Sequence, residues 1–257
     1  MDFVYHNEPF KLTKDIFPFG KTVHVVDNYL SPELHQFWDR KIVGSNIWSK
    51  TNQVGSSSKT GLPHHSFWGG TFFTGMHHDH DHKDIPKNIL ISDTYFAEFF
   101  NRKCETDFGF KWINFDYMGL NSQTQGLDGT NHCDCDDHFD WNLSFLWYTN
   151  TFWNPNWGGD LRFYDFNEGG GVGDNMDKFE VGRVEFKPNR LLLFDGRIPH
   201  GAEAPKPSAR YIDRRSVVLR GSEIQLFDHN KHREVIPRKK LYNRHWVIKN
   251  GYANNRI

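Results

Sequence analysis

Apolar positions change their spacing near Trp112. Before it, Leu34, Phe37, Trp38 and Ile42 recur at helical intervals and predict one apolar face on a helix from Pro32 to about Val43. Ser31 suits the N-cap of that helix and Pro32 its first turn. Residues 23–30 (VHVVDNYL) predict a strand leading into it, and Asp93 to Lys103 predicts a second helix. Between the helices, residues 44–70 are rich in Gly, Ser and Thr with few periodic apolar positions, and read as a long loop or lid. After Trp112 the apolar runs become short. WINFDYM, WNLSFLWY, DLRFYDF, KFEVGRVEF, RLLLF and RRSVVL are candidate strands, with Gly158-Gly159, Gly169-Gly170-Gly171 and Pro188-Asn189 as punctuation.

Two helices followed by six or more strands predict a mainly β protein with flanking helices (α+β), built on a double-stranded β-helix or jelly-roll core. We read one domain. Residues 1–110 form a buttress and lid region, 111–221 the jelly-roll core with the site, and 222–257 a charged C-terminal extension.

Composition narrows the function classes. With 31 basic and 32 acidic residues the formal charge is −1, which implies no nucleic-acid surface. No apolar stretch approaches the length of a membrane span, and the first residues lack the apolar run of a secretory signal. Three cysteines, two of them in Cys133-Asp134-Cys135, do not make a disulfide framework. We therefore expect a reducing, cytoplasmic setting.

The candidate chemistry begins at His132-Cys133-Asp134. In extended backbone, residues i and i+2 point to the same side, so His132 and Asp134 can address one ion while Cys133 faces away. His200, in Ile198-Pro199-His200-Gly201, follows 68 positions after His132, enough chain for a jelly roll to return beside it. Two imidazoles and one carboxylate on one face of a metal make the facial triad of non-haem Fe(II) oxygenases. Alone the triplet is weak, because the chain has 15 histidines and a solvated acidic loop would read the same way. Cys133 and Cys135 offer sulfur, which would favour zinc; alternation makes Cys133 a bystander. Met76 to His82 holds a second dense His/Asp tract, which we read as a hydrophilic connection rather than a second metal site.

The order of motifs carries more information than any one of them. Leu146-Trp147-Tyr148-Thr149-Asn150 follows the triplet. Gly158-Gly159-Asp160-Leu161, the run Pro188-Asn189-Arg190-Leu191-Leu192-Leu193-Phe194, His200 and Arg214-Arg215-Ser216 come next. Over roughly residues 112–220 this order resembles the prolyl 4-hydroxylase-like group of 2-oxoglutarate- and Fe(II)-dependent dioxygenases. Residues 25–33 also resemble the opening strand and helix of that group. The resemblance implies iron held by His132, Asp134 and His200, with 2-oxoglutarate and O2 as co-substrates and ascorbate as a possible supporting reductant. It implies hydroxylation of a C–H bond, first of a peptidyl proline or other protein side chain. A small metabolite, amino acid or nucleotide is the alternative substrate, and a non-enzymatic metal-binding jelly roll the alternative function. An aspartate in the carboxylate position implies hydroxylation rather than halogenation.

The distal carboxylate of 2-oxoglutarate needs a cationic partner, and a guanidinium can give it two parallel hydrogen bonds. Arg214 fits the R-x-S form of the family pattern, Arg210-Tyr211 an R-Y form, and Arg215, directly after Arg214, is the third candidate. We favour Arg214, with Tyr148 as a hydroxyl donor to the same carboxylate. Arg162 is a candidate for the mouth of the site, and the polar segment Gly119 to Asn131 for a pocket wall.

Overall fold

The computed structural model describes residues 1–13, 15–16, 19–53, 66–74, 94–112, 114–129, 131–134, 142–164, 180–222, 224–227 and 234–235. In chain order its elements are β1 (Asp2–His6), β2 (Thr22–Val26), α1 (Pro32–Val43), β3 (Ser49–Gln53), β4 (Ser66–Thr74), α2 (Thr94–Phe108), β5 (Phe110–Lys111), β6 (Asn114–Gln123) and β7 (Asn142–Tyr148). Then follow β8 (Leu161–Tyr164), β9 (Glu180–Val184), β10 (Leu191–Asp195), β11 (His200–Ala202), β12 (Arg214–Ser222), β13 (Gln225–Leu226) and β14 (Glu234–Val235).

Eight strands form one sheet in the order β1-β2-β10-β7-β12-β6-β4-β3. A smaller sheet, β11-β8-β9, faces it, and a third links β14, β13 and β5. The smaller sheet gains a further edge at His132, whose backbone bridges that of His200 through two reciprocal hydrogen bonds of 2.9 Å. Two facing sheets joined by such crossings are the double-stranded β-helix expected from the strand pattern.

Central strands of the large sheet are covered on both faces, which explains why they read as unbroken apolar runs. Strand β7 is buried at every position. Its Leu143, Phe145 and Trp147 join the core beneath the helices, with Leu191 and Leu193 of β10 and Val217 and Leu219 of β12. The alternate residues Leu146, Tyr148, Leu192, Phe194 and Val218 join a second core between the two sheets, with Phe163, Val184 and Phe186. Each fully buried side chain of this size contributes about 1.5–3 kcal/mol, so both cores are needed to hold the barrel.

Helix α1 keeps its predicted ends. The Ser31 hydroxyl accepts from the Leu34 N–H, and Pro32 opens the first turn. Its buried face differs from expectation. His35, Trp38, Asp39 and Ile42 are inside, while Leu34 and Phe37 are exposed. The polar anchors turn it: His35 Nε2 lies 2.8 Å from the Thr149 carbonyl, and Asp39 accepts from Arg215 Nη2 at 2.9 Å. Helix α2 runs five residues past the expected end.

The region 44–70 is not one loop. Residues 49–53 and 66–70 lie in β3 and β4, which add to the large sheet. Strand β4 buries Phe67 and exposes Trp68, an alternation too brief to outweigh the surrounding Gly and Ser. The polar segment Gly119 to Asn131 is likewise partly strand, because β6 continues to Gln123. Asp2–His6 pairs in parallel with β2. The tract Met76 to His82, Cys135, the glycines at 169–171 and most of the tail after Gly221 lie outside the described residues.

Glycine is required at one turn that shapes the interior. Gly158 and Gly159 take φ of 66° and 88°, and a Cβ on Gly159 would meet Arg214 Cδ at 3.3 Å.

Candidate metal centre

Two chain segments converge at one end of the barrel. His132 sits on the edge bridge, Asp134 follows it with its N–H donated to the Gly196 carbonyl at 2.7 Å, and His200 opens β11. One ligand atom from each of His132, Asp134 and His200 lies within 4.8 Å of the others. Among the described residues, this is the one cluster of three or more His, Cys, Asp or Glu groups close enough to share an ion. His132 Nε2 is 3.4 Å from Asp134 Oδ1, and His200 Nε2 is 3.6 Å from Asp134 Oδ2.

The surroundings prepare these groups for a cation. His200 Nδ1 lies 2.8 Å from the Ile198 carbonyl. A carbonyl only accepts, so Nδ1 carries the proton and Nε2 presents its lone pair to the site. Burial is the main cause that lowers the His200 pKa to about 4, against the opposing pull of Asp134. Burial by itself would raise the pKa of Asp134. Arg220, His200 and His132 overcome that effect and hold it well below the usual carboxylate range. The Ser144 hydroxyl donates to Asp134 Oδ2 at 2.6 Å, and Arg220 Nη2 lies 2.7 Å from Oδ1. A buried ionised carboxylate beside two imidazoles is a donor set that fits Fe(II).

Along β12, Arg214, Ser216, Val218 and Arg220 share the barrel-facing side. Arg214 is buried, donates Nε to the Gly159 carbonyl at 2.7 Å and Nη1 to Gln123 Oε1 at 2.9 Å. Its Nη2 has no hydrogen-bond partner, and neither has the Tyr148 hydroxyl. Buried donors without partners are rare, and each costs about 1–3 kcal/mol. Two of them in one pocket fit an incoming carboxylate. Burial lowers the Arg214 pKa and raises that of Tyr148. The guanidinium carbon lies 5.0 Å from the rings of both Tyr148 and Phe186.

The other arginines go elsewhere. Arg210 is at the surface beside the exposed Tyr211. Arg215 points to the helical side, paired with Asp39 at 2.9 Å and Asp213 at 2.6 Å. Arg162 alternates with Leu161 and Phe163, which enter the inner core, so it lies on the opposite face and meets Asp128 at 3.5 Å. Cys133 is half-buried.

Sequence reading missed Ser144, Arg220 and Gln123. Ser144 carries a signal, being a lone hydroxyl at the parity of Leu146 and Tyr148 in an otherwise apolar strand. Arg220 carries one too, at the parity of Arg214 once β12 is extended. Gln123 was hidden because β6 was ended too early.

In this barrel a His-x-Asp edge and a returning histidine bring three candidate ligands to one place. Residues 118–219, from β6 to β12, match the 2OG-Fe(II) oxygenase superfamily, and the resemblance read from the ordered motifs holds over that span. No curated protein matches the chain. Among solved structures it is similar to an oxidoreductase of the 2OG-Fe(II) oxygenase family from Burkholderia pseudomallei. The identity is 10%, the TM-score 0.50, and 86% of this chain and 96% of that one are covered. It is also similar to a prolyl hydroxylase from Trichoplax adhaerens in complex with a hypoxia inducible factor oxygen degradation domain peptide fragment. There the identity is 18%, the TM-score 0.46, and 78% and 83% of the chains are covered. A Pseudomonas putida prolyl-4-hydroxylase shares 14% identity at a TM-score of 0.46, over 78% and 91%. No helix among the described residues is long and apolar enough to cross a membrane.

Proposed function

We propose that this chain is an Fe(II)- and 2-oxoglutarate-dependent dioxygenase that hydroxylates a C–H bond. One observation carries the reading: a His-Asp-His cluster within 4.8 Å, with Asp134 and His200 buried and His132 half-buried, shares a barrel with a buried arginine and a tyrosine, each holding an unpartnered donor. When bound, iron and 2-oxoglutarate supply the activation of O2, with succinate and carbon dioxide as co-products of hydroxylation.

The residues of the chain hold and orient. His132, Asp134 and His200 would hold the metal with three ligand atoms, a set that leaves positions for co-substrate and oxygen. The hydrogen bond from His200 Nδ1 to Ile198 fixes the ring so that Nε2 faces the centre. Arg214 Nη2 and Tyr148 Oη supply the donors for the distal carboxylate of 2-oxoglutarate. Phe163 and Phe194 pack on His200, at centroid distances of 6.3 and 4.8 Å, and keep that side of the centre dry.

For substrate, the reading is a peptidyl proline or another protein side chain, on the strength of the prolyl 4-hydroxylase-like motif order. A cytoplasmic location accompanies it, from the sparse cysteines. The test is succinate formation from 2-oxoglutarate with Fe(II) and ascorbate under oxygen, for the natural protein and His132→Ala, with proline-containing peptides added. Succinate that requires His132 and rises with a peptide supports the whole reading. Succinate raised only by small metabolites overturns the substrate, and succinate indifferent to His132 overturns the site.

A further inference from the structure

We propose that Arg220 sets how tightly the centre holds its divalent cation, by competing with it for the carboxylate of Asp134. The proposal rests on the reading of His132, Asp134 and His200 as metal ligands. Arg220 projects from the last turn of the barrel-facing row on β12, and its Nη2 reaches Asp134 Oδ1 at 2.7 Å. That oxygen also faces His132 Nε2 at 3.4 Å, so a cation shared with His132 and the guanidinium address the same atom. The other oxygen, Oδ2, accepts from Ser144 at 2.6 Å and faces His200 at 3.6 Å. The guanidinium is itself held in place, with its carbon 4.8 Å above the Tyr117 ring.

The physical consequence has one sign. A buried carboxylate is costly without a positive partner, and here the protein provides that partner itself. The three ligands are therefore assembled before any ion arrives. An arriving cation then meets a second positive charge a few ångströms away, in an interior where charges are poorly screened. Taking Arg220 away removes this repulsion from the loaded protein. It also removes the counter-charge that stabilises the ion-free protein. Both changes favour the loaded state, so the coupling between Arg220 and the cation is negative and reciprocal. Two arginines six positions apart on one strand face thus serve two carboxylates: Arg214 the co-substrate's, Arg220 the metal ligand's.

The test is a titration of the ion-free, full-length protein with Co(II), followed by visible ligand-field absorption and calorimetry. The variants are Arg220→Gln, Arg220→Met, Arg220→Lys and His132→Ala. Arg220→Gln is expected to bind Co(II) about tenfold more tightly, or more, and to have a lower Tm without the ion. Arg220→Met, which keeps the volume, carries the same expectation if the glutamine variant does not fold. Arg220→Lys, which keeps the charge, is expected to stay within about threefold of the natural protein. Unchanged or weaker binding in the neutral variants overturns the proposal, as does equal tightening in the lysine variant. Failure of the metal reading looks different: the natural protein would show no Co(II) binding that His132→Ala abolishes.

Discussion

Arg214 and Tyr148 share one pocket without satisfying each other: the guanidinium carbon lies 5.0 Å from the tyrosine ring, yet Arg214 Nη2 and Tyr148 Oη both lack a hydrogen-bond partner. Gly159 and Gln123 take the remaining donors of the guanidinium and aim it. A pair of buried donors kept open in this way is expensive for folding and useful for binding a carboxylate.

Removing the charge of that pair should therefore act on co-substrate binding. Arg214→Gln is expected to raise the KM for 2-oxoglutarate roughly a hundredfold, the scale of losing one partner of a buried charge pair. Arg210→Ala, at an exposed position, is expected to stay within about twofold, the range of ordinary surface changes. Initial rates of succinate formation against 2-oxoglutarate concentration decide between them, and the reverse order would move the anchor to Arg210.

Tyr148→Phe separates folding from binding. Without co-substrate the hydroxyl is a buried group with no partner, so its removal is expected to leave stability unchanged or raise it by about 1 kcal/mol. With saturating 2-oxoglutarate the natural protein should gain more Tm than the variant. Thermal melts with and without 2-oxoglutarate measure both effects, and a large loss of stability in the co-substrate-free variant would contradict this role.

Acid should weaken the fold through His24 before carboxylates protonate. His24 Nδ1 lies 2.9 Å from His6 Nε2, and burial first, with His6 second, lowers its pKa from 6.5 to about 4. The folded pKa is below the unfolded one, so the stability is complete above pH 6.5 and is lost as pH falls towards 4. Across that window the loss is about 2 kcal/mol for this residue. His200, lowered to about 4 in the same way, adds to it in the ion-free protein. Urea unfolding at pH 7 and pH 5 should show a smaller difference for His24→Phe than for the natural chain.

Asn189 ties helix α1 to the sheet. Its Oδ1 accepts from the Leu30 N–H at 3.0 Å and from Trp147 Nε1 at 3.1 Å, and its Nδ2 donates to the Leu30 carbonyl at 2.7 Å. Its φ is 59°, in the left-handed region. Asn189→Gly keeps the backbone and loses the bonds, with an expected cost of about 2–3 kcal/mol. Asn189→Ala adds about 1 kcal/mol of backbone strain. Chemical denaturation of both variants checks the amount and its division, and equal stabilities would show that the left-handed backbone carries no cost.

The sequence by itself determined the kind of fold and the identity of the three candidate ligands. Both follow from local rules. A strand buried on both faces must be mostly apolar, as residues 143–148, with the one exception of Ser144, and residues 191–194 are, and an extended His-x-Asp must put both side chains on one side. Tertiary structure alone decided the rest. The R-x-S pattern favours Arg214 among Arg210, Arg214 and Arg215, but only the packing of β12 turns Arg214 inward, Arg215 towards Asp39 and Arg210 to solvent. The face of α1 was likewise settled by His35 and Asp39 finding partners on other strands, against the helical period of Leu34 and Phe37. Arg220 came to Asp134 through the pairing of β12 with β7, which places it opposite Ser144. Partners such as these lie dozens of residues apart in the chain, so hydrophobic period and motif spacing, which are local, carry no record of them.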